Sequence, residues 1–275
     1  MKQLTAQRVA ADGLTEAFGV ARVGDARWVA TIDESWFGWS GPFGGAIVAL
    51  AVRVAAEAVP ATSVRAVDLR FVGKPAGGEL LFVPSVREAG RRPRIVAVAV
   101  SQAGRDVAAA SVTVGHVSDA GPGDILDLGD PVPGPDGLAQ YGIPAEIVPI
   151  GAHLDLRPVD GPLPLTGAGE AWMRAWISTR EPMALDAAYL GLLADCLPPA
   201  MFPTLTAPLA VPTVTFSMNI TAPLDDPAPA PVLVHTRNIS TSGGWSVDDT
   251  TLRDRSGRLL ASARQSRRVV GWSAR

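Results

Sequence analysis

Apolar positions recur along this chain with two different periods. Over residues 41–60 (GPFGGAIVALAVRVAAEAVP) almost every position is apolar, broken only by Arg53 and Glu57, which stand four apart on one helical face. The run opens on Gly41-Pro42 and the pair Gly44-Gly45 and stops at Pro60, which is how a helix of about four turns is punctuated. A helix apolar on nearly every side is either wrapped by the rest of a fold or inserted in a membrane. A bilayer asks for about 20 apolar residues, and this run is too short and too interrupted. A wrapped central helix is the expectation. The segments after it change to period two: residues 64–72, 79–88, 94–101 and 106–114 each read as strands. Each is bounded by glycine, proline or a charged turn, namely Gly73-Lys74-Pro75, Gly90-Arg91-Arg92-Pro93 and Ala103-Gly104-Arg105. A strand over 27–33 and a short helical piece over 13–18 precede the helix. Strand, long helix and four strands with hairpin-length links predict an antiparallel sheet curled around one helix.

Across 118–169 the periodicity disappears and Pro, Gly and Asp dominate (GPGDILDLGDPVPGPDG, then RPVDGPLPLTGAG). This stretch is expected to be a linker or long surface crossover between an N-terminal domain, 1–117, and a C-terminal one, 170–275. Beyond it the earlier grammar returns. A strand over 170–178 carries Trp172 and Trp176 on one face, and a helix over 184–197 ends at Pro198-Pro199. Four more strands follow over 211–220, 232–239, 245–252 and 258–270. Laying the segment from Val64 on that from Pro212 brings Pro75 onto Pro223, and the later hairpins set Gly104 onto Gly257. Identity is low, but the order of elements is the same, as in a tandem repeat.

Composition narrows the partners. With 47% hydrophobic and 19% charged residues in 275, there is ample material for a core and most of the chain cannot be disordered. A net charge of −3 supplies no basic face for nucleic acid. The single cysteine, Cys196, excludes an internal disulfide framework and fits a reducing compartment. No apolar stretch of the secretory type follows Lys2, so a cytoplasmic protein with no membrane partner is expected. The Gly-, Pro-, Ala- and Arg-heavy composition resembles that of a GC-rich bacterial genome.

The stretch PFGGAIVALAVRVAAEAVP, followed by SVRAVDLRFVGKPAGGELLFVPSVREAGRRPRIVAVAVSQAGRDVAAASVTV, resembles the first half of the double-hotdog acyl-CoA thioesterases, the type II group. The shared features are a glycine-led helix, a strand closing on a proline-terminated turn, and an R-x-x-G-R hairpin, here Arg87 to Arg91. The second half resembles the second hotdog of the same family, and the likeness spans 31–114 and 172–270. It implies an α+β double-hotdog fold, two tandem repeats whose sheets lie side by side as one surface with the helices on its inner faces. It also implies a thioester hydrolase of lipid metabolism, acting on a small-molecule acyl-CoA, that pairs chain to chain as a homo-oligomer (a dimer or dimer of dimers). The family's functional trio is an aspartate on the second hotdog helix, a threonine opening the next strand and a glutamine on the last strand. Carried over by position, these are Asp195, Thr213 and Gln265. The first repeat offers Arg65 where Thr213 stands and Val112 or Thr113 near the Gln265 position, so one site per chain is implied.

Hydrolysing a thioester takes a water aimed at the carbonyl carbon, a group to hold or deprotonate it, and donors for the oxyanion. Asp195 is expected to receive the proton or the hydrogen bond of the water, with the Thr213 hydroxyl and Gln265 amide fixing it in place. The helix start at Gly44-Gly45 is the candidate oxyanion and substrate-binding element. No metal is implied, and no cofactor beyond the CoA of the substrate. Arg87, Arg91, Arg92, Arg94, Arg267 and Arg268 are candidates for the CoA phosphates, and Trp36, Phe37, Trp39, Trp172 and Trp176 for an acyl tunnel. Each has a plainer reading. Asp195 suits a helix-end carboxylate paired with an arginine, Gly44-Gly45 suits helix packing, and Cys196 suits a small core side chain. Hairpin arginines are usually solvated, and strand aromatics are usually core. No G-x-S-x-G elbow occurs, and His116, His153 and His235 are scattered, which argues against serine-hydrolase, hydratase and metal chemistry. The rival functions are a non-catalytic acyl- or acyl-CoA-binding hotdog protein and an accessory thioesterase acting on acyl carrier protein.

Overall fold

The computed structural model describes residues 7–8, 13–87, 93–116, 125, 128–221, 224 and 231–271. The chain begins with β1 (Gln7–Arg8), α1 (Gly13–Phe18), β2 (Ala21–Arg22) and β3 (Trp28–Ile32). The long helix α2 (Gly44–Ala58) then leads into β4 (Ser63–Phe71), β5 (Gly78–Arg87), β6 (Arg94–Gln102) and β7 (Arg105–Gly115). The second copy contains β8 (Leu154–Asp160), β9 (Trp172–Thr179), α3 (Ala187–Leu193), β10 (Thr213–Ile220), β11 (Val232–Ser242), β12 (Trp245–Arg253) and β13 (Leu259–Arg268).

The sheet has 13 strands in the order β1-β2-β3-β5-β6-β7-β4-β10-β13-β12-β11-β9-β8. Each copy contributes one half, and the halves meet where β4 runs antiparallel to β10, from Thr215 opposite Arg70 to Asn219 opposite Ala66. The expected single continuous surface is thus present, and it is the α+β double hotdog. Within each half the strand after the helix is the innermost and the one before it lies toward the edge, so the sheet bends around its own helix.

The α2 helix is buried along almost its whole circumference, from Gly45 through Ala55 except Arg53. Its alanines favour helix and its β-branched residues and paired glycines do not, and a helix of 15 residues is marginal alone, so the sheet on one side and α3 on the other hold it. Fully burying Ile47 and Leu50 contributes about 1.5–3 kcal/mol each. The helix ends at Pro60, where the Thr62 hydroxyl donates to the Val59 carbonyl (2.7 Å). Arg53, placed opposite Glu57 by the helical spacing, instead reaches Asp186 on the other copy (2.7 Å).

Two expectations need correction. The predicted helix over 184–197 forms only as Ala187–Leu193, because Asp186 is an extended N-cap whose side chain accepts from the Tyr189 N–H. At the other end the last turn tightens before Pro198-Pro199. The stretch 118–169, expected to be linker, contains a 3₁₀ turn (Pro149–His153) and the strand β8, paired with β9 from Leu154 opposite Thr179. Its alternation is short and interrupted by Pro158. That proline is tolerated because β8 is the outermost strand, where a missing N–H costs no ladder bond. No helix among the described residues is long and apolar enough to cross a membrane.

The two helices touch through glycine. A Cβ on Gly45 would lie 2.7 Å from the Leu192 carbonyl oxygen and 2.6 Å from the Phe43 ring, and one on Gly191 would lie 3.0 Å from Val48. Alanine normally beats glycine in a helix by up to about 1 kcal/mol. At Gly45 the overlap with backbone should outweigh that gain. Gly45→Ala is expected to lower stability by about 1–3 kcal/mol in urea unfolding, and an unchanged or raised midpoint would contradict the close helix contact.

Candidate active site

Asp195 lies beyond the α3 helix rather than on it. Ala194 is the C-cap, and the N–H groups of Asp195 and Cys196 turn back to the carbonyls of Leu192 (3.4 Å) and Leu193 (3.1 Å). This turn sends the Asp195 carboxylate to the start of α2, where Oδ2 accepts from the Gly45 N–H at 2.9 Å. The positive end of a helix dipole and its unpaired N–H groups favour an anion there. Gly44 leaves the space: a Cβ at that position would stand 2.9 Å from Asp195 Oδ2.

The strands supply the rest. Thr213 opens β10 and Gln265 lies on β13, and both point inward beside Asp195. Gln265 Nε2 donates to Asp195 Oδ1 (2.7 Å) and to Thr213 Oγ1 (3.3 Å). Gln265 therefore bridges the other two residues carried over from the family resemblance, two of the three coming from strands of the second copy and one from the turn after its helix.

Two residues that sequence reasoning did not place in the site complete it. Arg267, two positions from Gln265 and so on the same face, donates through NH2 to Asp195 Oδ1 (3.2 Å) and Gln265 Oε1 (2.5 Å), and through NH1 to Thr213 Oγ1 (2.8 Å). Its Nε donates to Asp248 Oδ2 at 3.1 Å. Asp248, on β12, also accepts from Ala200 N–H (3.3 Å) and Asn238 Nδ2 (2.9 Å). Arg267 is 6% exposed, Gln265 2% and Asp248 1%. Arg267 had been a candidate for the CoA phosphates; burial and two carboxylate partners at 3.1 and 3.2 Å correct that. The plain expectation for Asp195, a helix-end carboxylate paired with an arginine, also holds, and the pair is part of the site.

The first copy shows what this layer looks like without a site. β4 and β10 slip register at matching places, between Val64 and Ala66 and between Thr213 and Thr215. Matching the slips puts Val64, not Arg65, at the position of Thr213. A sequence alignment of low identity cannot fix a bulge to one residue, and setting Val64 on Pro212 misses by one place. Val114 then faces Val64 as Arg267 faces Thr213, and Val96 faces Val112 as Asp248 faces Gln265. All four counterparts are buried valines. The fold therefore closes this layer with hydrocarbon in one copy and with an arginine between two carboxylates in the other. A buried ion cluster is a weak stabiliser, and its presence in one copy alone makes it the candidate functional site.

The cluster forms one end of a cavity of about 870 Å³. Asp195, Thr213 and Arg267 line that end with Gly44, and most of the remaining wall is apolar, including Trp39 and Phe202. Of the aromatics expected along a tunnel, Trp39 lines it. Trp36 is stacked on His153 (4.1 Å between ring centroids), and Trp176 faces the other side of the sheet, donating to the Pro133 carbonyl (2.9 Å). Trp172 packs edge-on against His235. Arg268 turns to the Gly244 carbonyl (2.8 Å), Arg87 is exposed, and Arg91 and Arg92 lie outside the described residues.

A tandem hotdog with one buried polar cluster, at the end of an apolar cavity, defines the class. Residues 32–115 match the family model of the acyl-CoA thioesterase N-terminal domain, and residues 116–269 match that of the acyl-CoA thioesterase C-terminal domain. The chain belongs to this acyl-CoA thioesterase family. An uncharacterized protein of Mycobacterium tuberculosis is 28% identical over 261 residues, covering 85% of this chain and 88% of its own. Among solved structures, a hot dog-fold protein of unknown function from Alicyclobacillus acidocaldarius superposes with a TM-score of 0.86 at 19% identity, covering 96% of this chain and 100% of that one. A candidate thioesterase from Novosphingobium aromaticivorans does so with a TM-score of 0.76 at 28% identity, over 92% and 98%.

Cys196, beside Asp195, is buried at the cavity wall, and burial together with the neighbouring carboxylate pushes its thiol well above the usual range. Only a thiolate is a good nucleophile. In the folded protein at pH 8, Cys196 is expected to resist a disulfide reagent such as DTNB and to react promptly in urea. Rapid reaction without denaturant would contradict this packing.

Proposed function

We propose that this protein hydrolyses an acyl-CoA thioester to the free carboxylic acid and CoA, with water as the nucleophile. The observation that carries the reading is the hydrogen-bonded group of Asp195, Thr213 and Gln265, of which Asp195 and Thr213 line a largely apolar cavity. The acyl chain occupies the apolar part, and the thioester carbonyl lies at the polar end. A water entering between Asp195 and the carbonyl gives its proton to the carboxylate while its oxygen bonds to the carbonyl carbon. The Thr213 hydroxyl and the Gln265 amide orient that water. Collapse of the tetrahedral intermediate breaks the C–S bond, and the thiolate leaves and takes up a proton. Thiolate is a good leaving group, so no strong general acid is required.

For the oxyanion, the Gly44–Gly45 element divides its donors. The Gly45 N–H is taken by Asp195 (2.9 Å), so the N–H of Gly44, at the first position of the helix and on the cavity wall, is the donor assigned to the carbonyl oxygen. The chain needs no metal or cofactor for this scheme, and CoA enters as part of the substrate.

The test is a panel of acyl-CoA thioesters, short, aromatic and long, assayed by release of free thiol, with Asp195→Asn alongside. Asp195→Asn keeps the shape but cannot accept the proton, and kcat/KM should fall by about 100-fold or more. Parent protein inactive across the whole panel, or an asparagine variant as fast as the parent, would sink the proposal. Binding without turnover would favour a non-catalytic acyl-CoA-binding protein. Comparing CoA and carrier-protein thioesters of one acyl group distinguishes an accessory carrier-protein thioesterase.

A further inference from the structure

We propose that Arg267 is the positioning residue of this site: its guanidinium, anchored from behind by Asp248, holds Asp195, Gln265 and Thr213 in a single arrangement. The inference rests on the hydrolase reading for its catalytic consequence but has a readout of its own.

The geometry argues from donors and acceptors. A guanidinium can only donate, so the Gln265 atom facing Arg267 at 2.5 Å has to be the carbonyl Oε1. That leaves Nε2 facing Asp195 and Thr213, at 2.7 and 3.3 Å. Arg267 and the Asp195 carboxylate thus fix the same amide orientation from opposite sides. The rigid fork addresses all three members at once, which a lysine's single ammonium cannot do. Asp248 supplies the second anchor, and its own oxygens are held by Ala200 and Asn238.

The first copy argues that these residues act as a unit. Where the second copy has Thr213, Asp248, Gln265 and Arg267, it has Val64, Val96, Val112 and Val114, with no member retained. The corresponding layer of the first copy is filled with valine throughout.

The charges facing Asp195 are few. Arg267 of β13 is at 3.2 Å, with Asp248 of β12 on its far side, and Cys196 adjoins in the chain. From β10 and α2 come the uncharged Thr213 hydroxyl and Gly45 N–H. Removing both Arg267 and Asp248 therefore takes away a near positive charge and a more distant negative one. The double variant loses the countercharge of Asp195 together with the fork, and a lysine at 267 loses the fork alone.

The variants are Arg267→Val/Asp248→Val, which removes that ion pair whole and leaves Asp195 with the Gly45 N–H and the Gln265 amide as partners, and Arg267→Lys, which keeps the countercharge without the fork. The double variant is expected to stay folded with a lowered urea midpoint, because Asp195 loses its countercharge, and to lose about 100-fold in kcat with KM close to the parent's. The lysine variant, which keeps the charge, should lose kcat to a similar extent. A folded double variant with the parent's kcat, or full recovery of kcat by lysine, would overturn the inference. The independent readout is the side-chain amide of Gln265 in ¹⁵N-labelled protein, assigned by its absence from Gln265→Met. Amide resonances that move toward those of free glutamine in both variants support the inference even if the parent hydrolyses nothing, in which case the hydrolase reading falls alone. Amide resonances identical in parent and variants overturn it.

Discussion

The carboxylate of Asp195 reaches the start of α2 at 2.9 Å from the Gly45 N–H, and this contact links the two halves of the chain at the point where the site forms. It depends on three local conditions. The α3 helix must stop after Leu193 and turn, so that the next carboxylate leaves the helical path. Gly44 must lack a side chain, since a Cβ there would meet the carboxylate at 2.9 Å. Gly45 must also lack one, or α3 could not approach closely enough to bring the turn within reach. The helix end offers unpaired N–H groups and a positive dipole, so the same contact that ties the halves together also seats an anion.

Around that contact the copies divide the work. Both wrap a helix in an antiparallel sheet, and both slip register at corresponding places, Val64/Ala66 and Thr213/Thr215. One closes the layer beneath the slip with valine. The other places there an arginine between Asp195 and Asp248, with Gln265 and Thr213 hydrogen-bonded to it. Hydrocarbon is the cheaper filling, because charged groups lose hydration on burial and recover it only with near-complete hydrogen bonding. This cluster has that bonding, and it opens onto an apolar cavity on the side where Thr213, Asp195 and Arg267 form the wall.

Much of this architecture was readable from the residues. The apolar run closed by Gly44-Gly45 and Pro60 became α2, and the alternating segments became strands within two residues of their predicted ends, except that the one expected over 232–239 runs on to Ser242. Asp195, Thr213 and Gln265 came from the family resemblance, carried over by position. Their neighbours were harder to see. Arg267 sits among Arg264 and Arg268 in a strand whose other arginines turn to Asp249 and to the Gly244 carbonyl, so its type gave no warning of burial. Only its spacing of two from Gln265 was a signal. Asp248 sits next to Asp249, and nothing local tells which of the pair faces in. The strand β8 was hidden by Pro158 and by the glycine- and proline-rich sequence around it.

Sequence by itself determined the elements, their repetition and the side-chain types available to a site, because periodicity, turn residues and helix punctuation act over a few neighbouring positions. Only the tertiary structure decided which aspartate meets which arginine, where α3 ends, and by how many residues the two copies are offset. Those depend on a one-residue bulge and on the distance between two helices, and both are set by packing among parts of the chain far apart in sequence.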